Sequence, residues 1–189
     1  LAFECAVGES TNAQVVNGLF YDNIVDGQNQ LGCNGGAIYT GLRATPGLVN
    51  CTVADNSAPN GGGLAVYTAS TTVPTAMNCI FWGNENGQAT VLGSAPPLLT
   101  FCDVQGGYIG DGNLNSDPAF VNASDANYAL SAGSICIDSG QSAGAPALDI
   151  FGIPRPQGVG IDIGAFEYYA GTEGEGEGEG EGEGEGEGE

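Results

Sequence analysis

Short apolar segments recur along the first half of the chain, each closed by polar residues or glycine. The segments 17–23, 50–56 and 78–84 align without gaps, and 101–107 is a degenerate fourth copy. The copies are offset by 33, 28 and 23 residues. Glycine-rich, strand-forming repeats of this length are typical of solenoids, in which each repeat forms one coil. The pattern therefore predicts stacked β coils.

Alternate residues of each copy share one face of a strand. Stacking the copies therefore buries two columns of side chains, which are Cys51, Cys79 and Cys102 and, two residues later, Val53, Phe81 and Val104. We predict that the cysteines form a structural stack, because ligands in a straight line cannot surround a metal tetrahedrally. Neighbouring coils are close enough for one disulfide within this column.

The last residues of the first three copies are Asn23, Asn56 and Asn84. We predict that these asparagines form a second structural stack, located at a bend of the chain. Asparagine tolerates left-handed backbone geometry, and its amide can bond to the asparagine one strand spacing away, roughly 4.8 Å. Glycine pairs at 35–36 and 62–63 are predicted to mark further bends.

The outward positions of the copies are also apolar and define a strip of four residues: Leu19, Tyr21, Ile80 and Trp82. A contiguous apolar strip marks a contact, so we predict an interface or a glycan contact here. Three alternatives remain for what covers the strip, namely the chain's own C-terminal segment, a partner subunit, or a carbohydrate ring stacked on Trp82.

Composition narrows the function classes. The 189 residues carry 23 acidic side chains, two bases and no histidine, for a formal charge of -21. Histidine-dependent catalysis is therefore excluded, and the acidic surface repels nucleic acid and anionic membranes. No stretch approaches the ~18 apolar residues of a membrane helix, so direct membrane insertion is not expected. No cofactor is predicted apart from calcium, which is considered below.

Arg155 is one of the two bases and is surrounded in sequence by carboxylates. We predict a structural ion pair of Arg155 with Asp138 and Asp162, which would hold the C-terminal segment in place. The alternative is a catalytic guanidinium, as in polysaccharide lyases of β-helix fold.

Two groups of oxygen-bearing side chains are expected to form turns, but each also has a possible function in catalysis or calcium binding. Asp22 and Asp55 share one repeat position and Asp103 lies nearby in the fourth copy, so a glycosidase carboxylate pair is kept as an alternative. The alternating spacing of calcium ligands occurs at Asp111, Asn113, Asn115 and Asp117.

Several segments occur along the chain in a characteristic order. They are the Gly-Gly segments at 35–39 and 62–67, the Asn-Cys segments at 50–56 and 78–84, and the motifs at 116–120, 136–140, 152–156 and 162–167. In this respect the chain resembles right-handed parallel β-helix repeat proteins of the choice-of-anchor type from bacterial envelopes. The resemblance covers about residues 12–170. It implies a secreted solenoid and does not imply a reaction.

We therefore predict an all-β chain in three regions. Right-handed parallel β-helix coils span 1–110, an irregular C-terminal segment packed on the solenoid spans 111–170, and a Gly-Glu tail or linker spans 171–189. The tail has no apolar side chain, which is typical of a solvated spacer. Cys5 and Cys33 lie one coil length apart and can pair as an N-terminal disulfide.

These features predict a non-catalytic structural or adhesive module, extracellular or on a bacterial cell surface. Because the ends of a solenoid are unpaired strand edges, we expect self-association into an oligomer, filament or surface layer. The alternative is a carbohydrate-active enzyme, either a glycoside hydrolase or a lyase, or a glycan-binding module.

Overall fold

The computed structural model describes residues 1–3, 12–27, 34–68 and 73–171. The predicted Cys5–Cys33 disulfide and the Gly-Glu repeat lie outside these residues. The strands, in chain order, are β1 (Ala2–Phe3), β2 (Gln14–Val16), β3 (Leu19–Tyr21), β4 (Ile38–Leu42), β5 (Gly47–Val49), β6 (Thr52–Ala54), β7 (Leu64–Thr68), β8 (Thr75–Met77), β9 (Ile80–Trp82), β10 (Ala89–Val91), β11 (Leu98–Thr100), β12 (Asp103–Val104), β13 (Phe120–Asn122) and β14 (Asn127–Leu130).

The first twelve strands form three parallel sheets in which every third strand is a neighbour. The sheet orders are β1-β4-β7-β10, β2-β5-β8-β11 and β3-β6-β9-β12, so the chain passes through each sheet four times. The predicted all-β chain with stacked parallel strands is confirmed, and the described residues contain no α-helix. They also contain no helical segment with the length and hydropathy of a transmembrane span.

The strand register matches the sequence repeats. Phe20 pairs with Val53, Val53 with Phe81, and Phe81 with Val104. These residues and the cysteine column point into the space between the three sheets, where Cys51, Val53, Cys79, Phe81 and Cys102 are fully buried. Dispersion and hydrophobic burial along this shared interior hold successive coils together.

Glycine at position 18 lets an aromatic ring partly cover the N-terminal end of the interior. A Cβ on Gly18 would lie 2.7 Å from the Phe20 ring, which occupies the space that cysteine fills in the later coils. The ring of Tyr108 packs against the core from the last coil, and its hydroxyl donates to the Pro97 carbonyl at 3.0 Å.

Residues with positive φ turn the chain between sheets. In one bend they are Asn17, Asn50, Asn78 and Phe101, and in the next they are Asp22, Asp55 and Gly83. The left-handed residue therefore precedes Asn23, Asn56 and Asn84, which corrects the expectation that these asparagines adopt it themselves. The side-chain amides of Asn23 and Asn56 instead donate to the carbonyl two residues earlier, Tyr21 O at 3.0 Å and Ala54 O at 2.9 Å.

The asparagine stack runs in one direction along the solenoid. The Oδ1 atom of Asn56 accepts the backbone and side-chain N–H groups of Asn23 at 3.1 and 2.7 Å. Asn84 accepts the same two groups of Asn56 at 3.1 and 2.8 Å. Gln88 ends the series, because its Oε1 accepts both N–H groups of Asn84.

We expect Asn56→Ala to lower the free energy of unfolding by about 2–4 kcal/mol, since it leaves several buried polar groups without partners. Asn127→Ala is the matched control, because Asn127 is exposed and makes one local bond, to the Ala129 amide. Urea unfolding of both variants checks the difference. An equal, small loss in the two variants would contradict a supporting role for the stack.

Candidate functional site

The predicted apolar strip lies beneath the chain's own C-terminal segment. Ile80 is fully buried in a cluster with Leu130, Cys136 and Ile163, so it cannot touch a partner or a glycan. Leu19 and Trp82 are half-buried at the edges of the covered area, and Tyr21 is 40% exposed. The strip is therefore not one open surface, because the C-terminal segment occupies its centre.

A polar seam fixes this cover to the coils. The Asn50 side chain donates to the carbonyls of Asp162 and Gly164 at 3.0 and 3.3 Å. The Asn78 side chain donates to Gln141 O at 2.9 Å, and the Thr52 hydroxyl accepts the Ala165 amide at 3.0 Å. The asparagine that opens each of the first three repeats thus binds the C-terminal segment, a role that the repeat pattern alone did not indicate.

The three stacked cysteines are free thiols, so the disulfide considered for this column is absent. Each sulfur accepts an N–H group from the preceding coil. Gly18 donates to Cys51 at 3.3 Å, Cys51 to Cys79 at 3.4 Å, and Cys79 to Cys102 at 3.4 Å. Burial raises the pKa of the Cys79 thiol, and the hydrogen bond with Cys79 and burial raise the pKa of Cys51. These are inert structural thiols rather than nucleophiles.

A buried thiol and carboxylate meet where the C-terminal segment contacts the last coil. The Cys136 thiol donates to Asp103 Oδ2 at 3.3 Å, and Oδ1 of the same carboxylate accepts the Ser116 amide at 3.2 Å. Burial raises the pKa of both groups. Because Asp103 is fully buried, it has no access to a polymeric substrate. The pairing was missed because the two residues are 33 positions apart and share no repeat motif.

Of the other candidate glycosidase carboxylates, Asp22 and Asp55 are exposed at the second bend. The hydroxyl of Tyr128 donates to Asp55 Oδ2 at 2.9 Å, and burial followed by this bond raises the pKa of Tyr128. Asp55 therefore helps to hold the β13–β14 hairpin against the coils.

The structural ion pair of Arg155 has a different partner from the predicted ones. Its Nη1 atom lies 2.6 Å from Glu167 Oε2, and both side chains are almost completely buried. Asp162 contributes its backbone carbonyl to Arg155, and Asp138 forms neither a hydrogen bond nor an ion pair with the Arg155 side chain. The two predicted partners do not pair with Arg155, because their carboxylates accept backbone amides instead. Asp162 Oδ1 accepts Asp138 N, and Asp138 Oδ1 accepts Gly160 N.

We expect Arg155→Met to lower the free energy of unfolding by about 3–5 kcal/mol, because it leaves the buried Glu167 carboxylate without its cation. The double variant Arg155→Met, Glu167→Gln is expected to lose less than this single variant, since neither charge of the pair remains. Calorimetry of both single variants and the double variant gives the coupling energy. Simple additivity of the single losses would contradict a coupled buried pair.

The Asp162 carboxylate titrates in an unusual range. Burial raises its pKa to about 6, and the neighbouring charges of Glu167 and Asp138 act in the same direction, against the lowering effect of two backbone amides. A pKa raised on folding means that the folded state binds the proton more tightly than the unfolded state. The contribution of Asp162 to stability is therefore present in acid and is lost as the pH rises through about 6.

We expect acidification from about pH 7 to about pH 5 to stabilise the protein through Asp162 by about 1 kcal/mol. Urea unfolding at both pH values, with Asp162→Asn as the comparison, measures this contribution. The variant removes the titrating group, so its stability should rise less on acidification than that of the unaltered protein. An identical pH response in both proteins would contradict the assignment.

The candidate calcium ligands belong to the loop that covers the C-terminal end of the coils. Asn113 Oδ1 accepts the Cys102 amide at 2.9 Å, Asn115 Oδ1 accepts Gly106 N at 2.9 Å, and Asp117 Oδ1 accepts Ala119 N at 2.8 Å. Asp111 contributes its backbone carbonyl to Phe101 N. These side chains close the loop through backbone amides, and calcium binding stays a prediction.

Within the C-terminal segment, a groove of about 690 Å³ lies between β14 and residues 149–168. Tyr128, Phe151 and Phe166 contribute apolar surface, and the carboxylates of Asp149 and Glu167 lie along it. Both carboxylates are occupied internally, because Asp149 accepts three backbone amides and Glu167 binds Arg155 and the Gln157 amide. The groove therefore presents an apolar wall without a free acid and base pair.

Comparison with known proteins found no matching family model, no matching curated protein and no matching solved structure.

Proposed function

We propose that this chain is a non-catalytic structural or adhesive module, a right-handed parallel β-helix of the bacterial cell surface, which associates with itself through its N-terminal end. The observation that carries the proposal is the difference between the two ends of the solenoid. The strand edges are covered over much of one end, whereas the other end offers unpaired edges among the described residues.

At the C-terminal end, the loop after β12 covers backbone groups next to β11 and in β12, whereas β10 has a strand on one side only within the described residues. Phe101 N donates to Asp111 O at 2.8 Å, Leu114 N donates to Cys102 O at 2.8 Å, and Val104 N donates to Leu114 O at 3.0 Å. These bonds use backbone groups of the last coil that would otherwise pair with another chain. An added strand would have to displace the loop.

The N-terminal end has unpaired strand edges. Within the described part of the chain, β2 and β3, like β1, each have a strand on one side only. Bonds from Gly47 N to Ala13 O and from Asn17 N to Val49 O show that the alternate amides of Gln14 and Val16 point away from β5. Exposed edges of this kind pair with strands of other chains.

The asparagine stack supports the same direction of association. Asn23 donates to Asn56, but no described residue donates to the Oδ1 atom of Asn23, which is exposed. This oxygen is equivalent to those that bind the preceding coil in the rest of the stack. A second copy that brings N–H groups to this edge would satisfy it.

Buried carboxylates that serve as backbone acceptors support the non-catalytic part of the proposal. Asp103, Asp149 and Asp162 accept amide N–H groups, and Glu167 also neutralises Arg155. The acidic tail is proposed to act as a spacer between the solenoid and the cell surface, because like charges keep such a segment extended.

We expect the unaltered chain to self-associate with rising concentration, and Val16→Lys to weaken this association at least about tenfold, because edge lysines oppose strand pairing. Val16 is 42% exposed on β2, and the matched control Val121→Lys changes a residue that is 53% exposed on β13. Sedimentation equilibrium measures the effect, and electron microscopy distinguishes closed pairs from filaments.

Equal weakening by both lysine variants, or a chain that stays monomeric at high concentration, would contradict association through the N-terminal edge. Release of reducing sugar from polysaccharides by the purified chain would contradict the non-catalytic assignment and favour the carbohydrate-active alternative.

A further inference from the structure

Four asparagine–glycine pairs occur at bends of the solenoid, at 17–18, 34–35, 60–61 and 86–87. An asparagine followed by glycine is chemically labile, because glycine offers little steric hindrance to attack by its backbone nitrogen on the asparagine side-chain carbonyl. The attack requires that the glycine nitrogen be free to approach the side chain. The four pairs can therefore be compared by what binds each glycine N–H group.

Three of the four glycine amides are held by the next coil. Gly18 N donates to Cys51 Sγ at 3.3 Å, Gly35 N donates to Asn60 O at 3.1 Å, and Gly61 N donates to Asn86 O at 3.2 Å. Each bond points the nitrogen along the solenoid axis toward the following coil. A reaction at these pairs would first have to break the contact between coils.

The fourth pair lies in the last coil, where no equivalent acceptor follows. Within the described residues, nothing accepts a hydrogen bond from Gly87 N, and the chain forms a turn at this position. Asn86 is exposed, and its side-chain nitrogen donates to Ala58 O at 2.9 Å, in the preceding coil. Exposure does not distinguish it from Asn60, which is also exposed.

We propose that Asn86 is a site of spontaneous, age-dependent deamidation, and that Asn17, Asn34 and Asn60 are protected by the stacking of coils. The Gly87 nitrogen forms a bond to Asn86 Cγ, the bond from Cγ to Nδ2 breaks, and ammonia leaves with the amide proton. Water then opens the cyclic imide at either carbonyl, which gives aspartate or isoaspartate. No oxidant, reductant or enzyme is needed.

The reaction alters contacts between the last two coils. It removes the bond from Asn86 Nδ2 to Ala58 O and places a negative charge beside Glu85. In the isoaspartate product the backbone runs through Cβ and Cγ of residue 86, so it is one atom longer, and the original carbonyl, which binds Gly61 N at 3.2 Å, becomes a free carboxylate. The carbonyl of Gln88, which binds Leu64 N at 2.9 Å, follows shortly after this change.

Incubation of the full chain in mildly alkaline buffer at physiological temperature, followed by peptide mapping with mass spectrometry, tests the proposal. In the folded chain, we expect Asn86 to deamidate at least about tenfold faster than Asn60, because only the latter needs local opening. In a denaturant-unfolded sample, the four pairs should react at similar rates, since the protecting bonds are gone.

Equal rates at Asn60 and Asn86 in the folded chain would overturn the proposal, as would an intact Asn86 after the unfolded sample has reacted fully. Asn86→Gly is the variant control: glycine suits the left-handed backbone at this position, φ 57°, and should abolish the reaction at this peptide. Thermal melting of the aged protein should show a lower Tm than that of freshly prepared protein, and equally aged Asn86→Gly should show no such fall.

Discussion

The structure depends on hydrogen bonds between a backbone amide of one coil and a side chain of the next. Strand amides find partners within the three parallel sheets, but the chain must leave the sheet at each bend, where amides are left over. Asn56 and Asn84 supply oxygen acceptors there, and Cys51 and Cys79 supply sulfur. At these two bends, the following coil therefore carries the acceptor at the position that matches the free amide.

This constraint gives the solenoid a direction. Each acceptor in the two stacks serves the coil that precedes it, so the last coil must end the series with a different group. Gln88 ends the asparagine stack, and Asn113 accepts the amide of Cys102 from the covering loop. The first coil differs from the others in both stacks. Asn23 carries an acceptor but has no preceding coil among the described residues to use it, and Gly18 stands where the later coils have cysteine. Among the described residues, the two ends of the stacked coils are therefore chemically different surfaces.

The repeat predicted much of this arrangement because its determinants are local. A gap-free alignment places Val53 beside Phe81 and Asn56 beside Asn84. The strand register shows the first relation, and a side-chain hydrogen bond shows the second. The contacts of the C-terminal segment were not predictable in this way. Asn50 meets Asp162 across 112 positions, and Arg155 selects Glu167 from several nearby carboxylates, so no periodic pattern specifies either choice. The apolar strip indicated that a cover was needed without identifying which of three covers it was.

The same reasoning explains how so acidic a chain can bury carboxylates with hardly any bases. A buried carboxylate needs hydrogen-bond donors, but these need not come from a cation. Several backbone N–H groups can supply them. Asp149 accepts amides from Phe151, Ile153 and Glu167, and thereby ties three parts of the irregular C-terminal segment together. Loops that lack regular hydrogen bonding gain a fixed conformation from such acceptors. The buried acids thus supply hydrogen bonds where the C-terminal segment has no regular secondary structure.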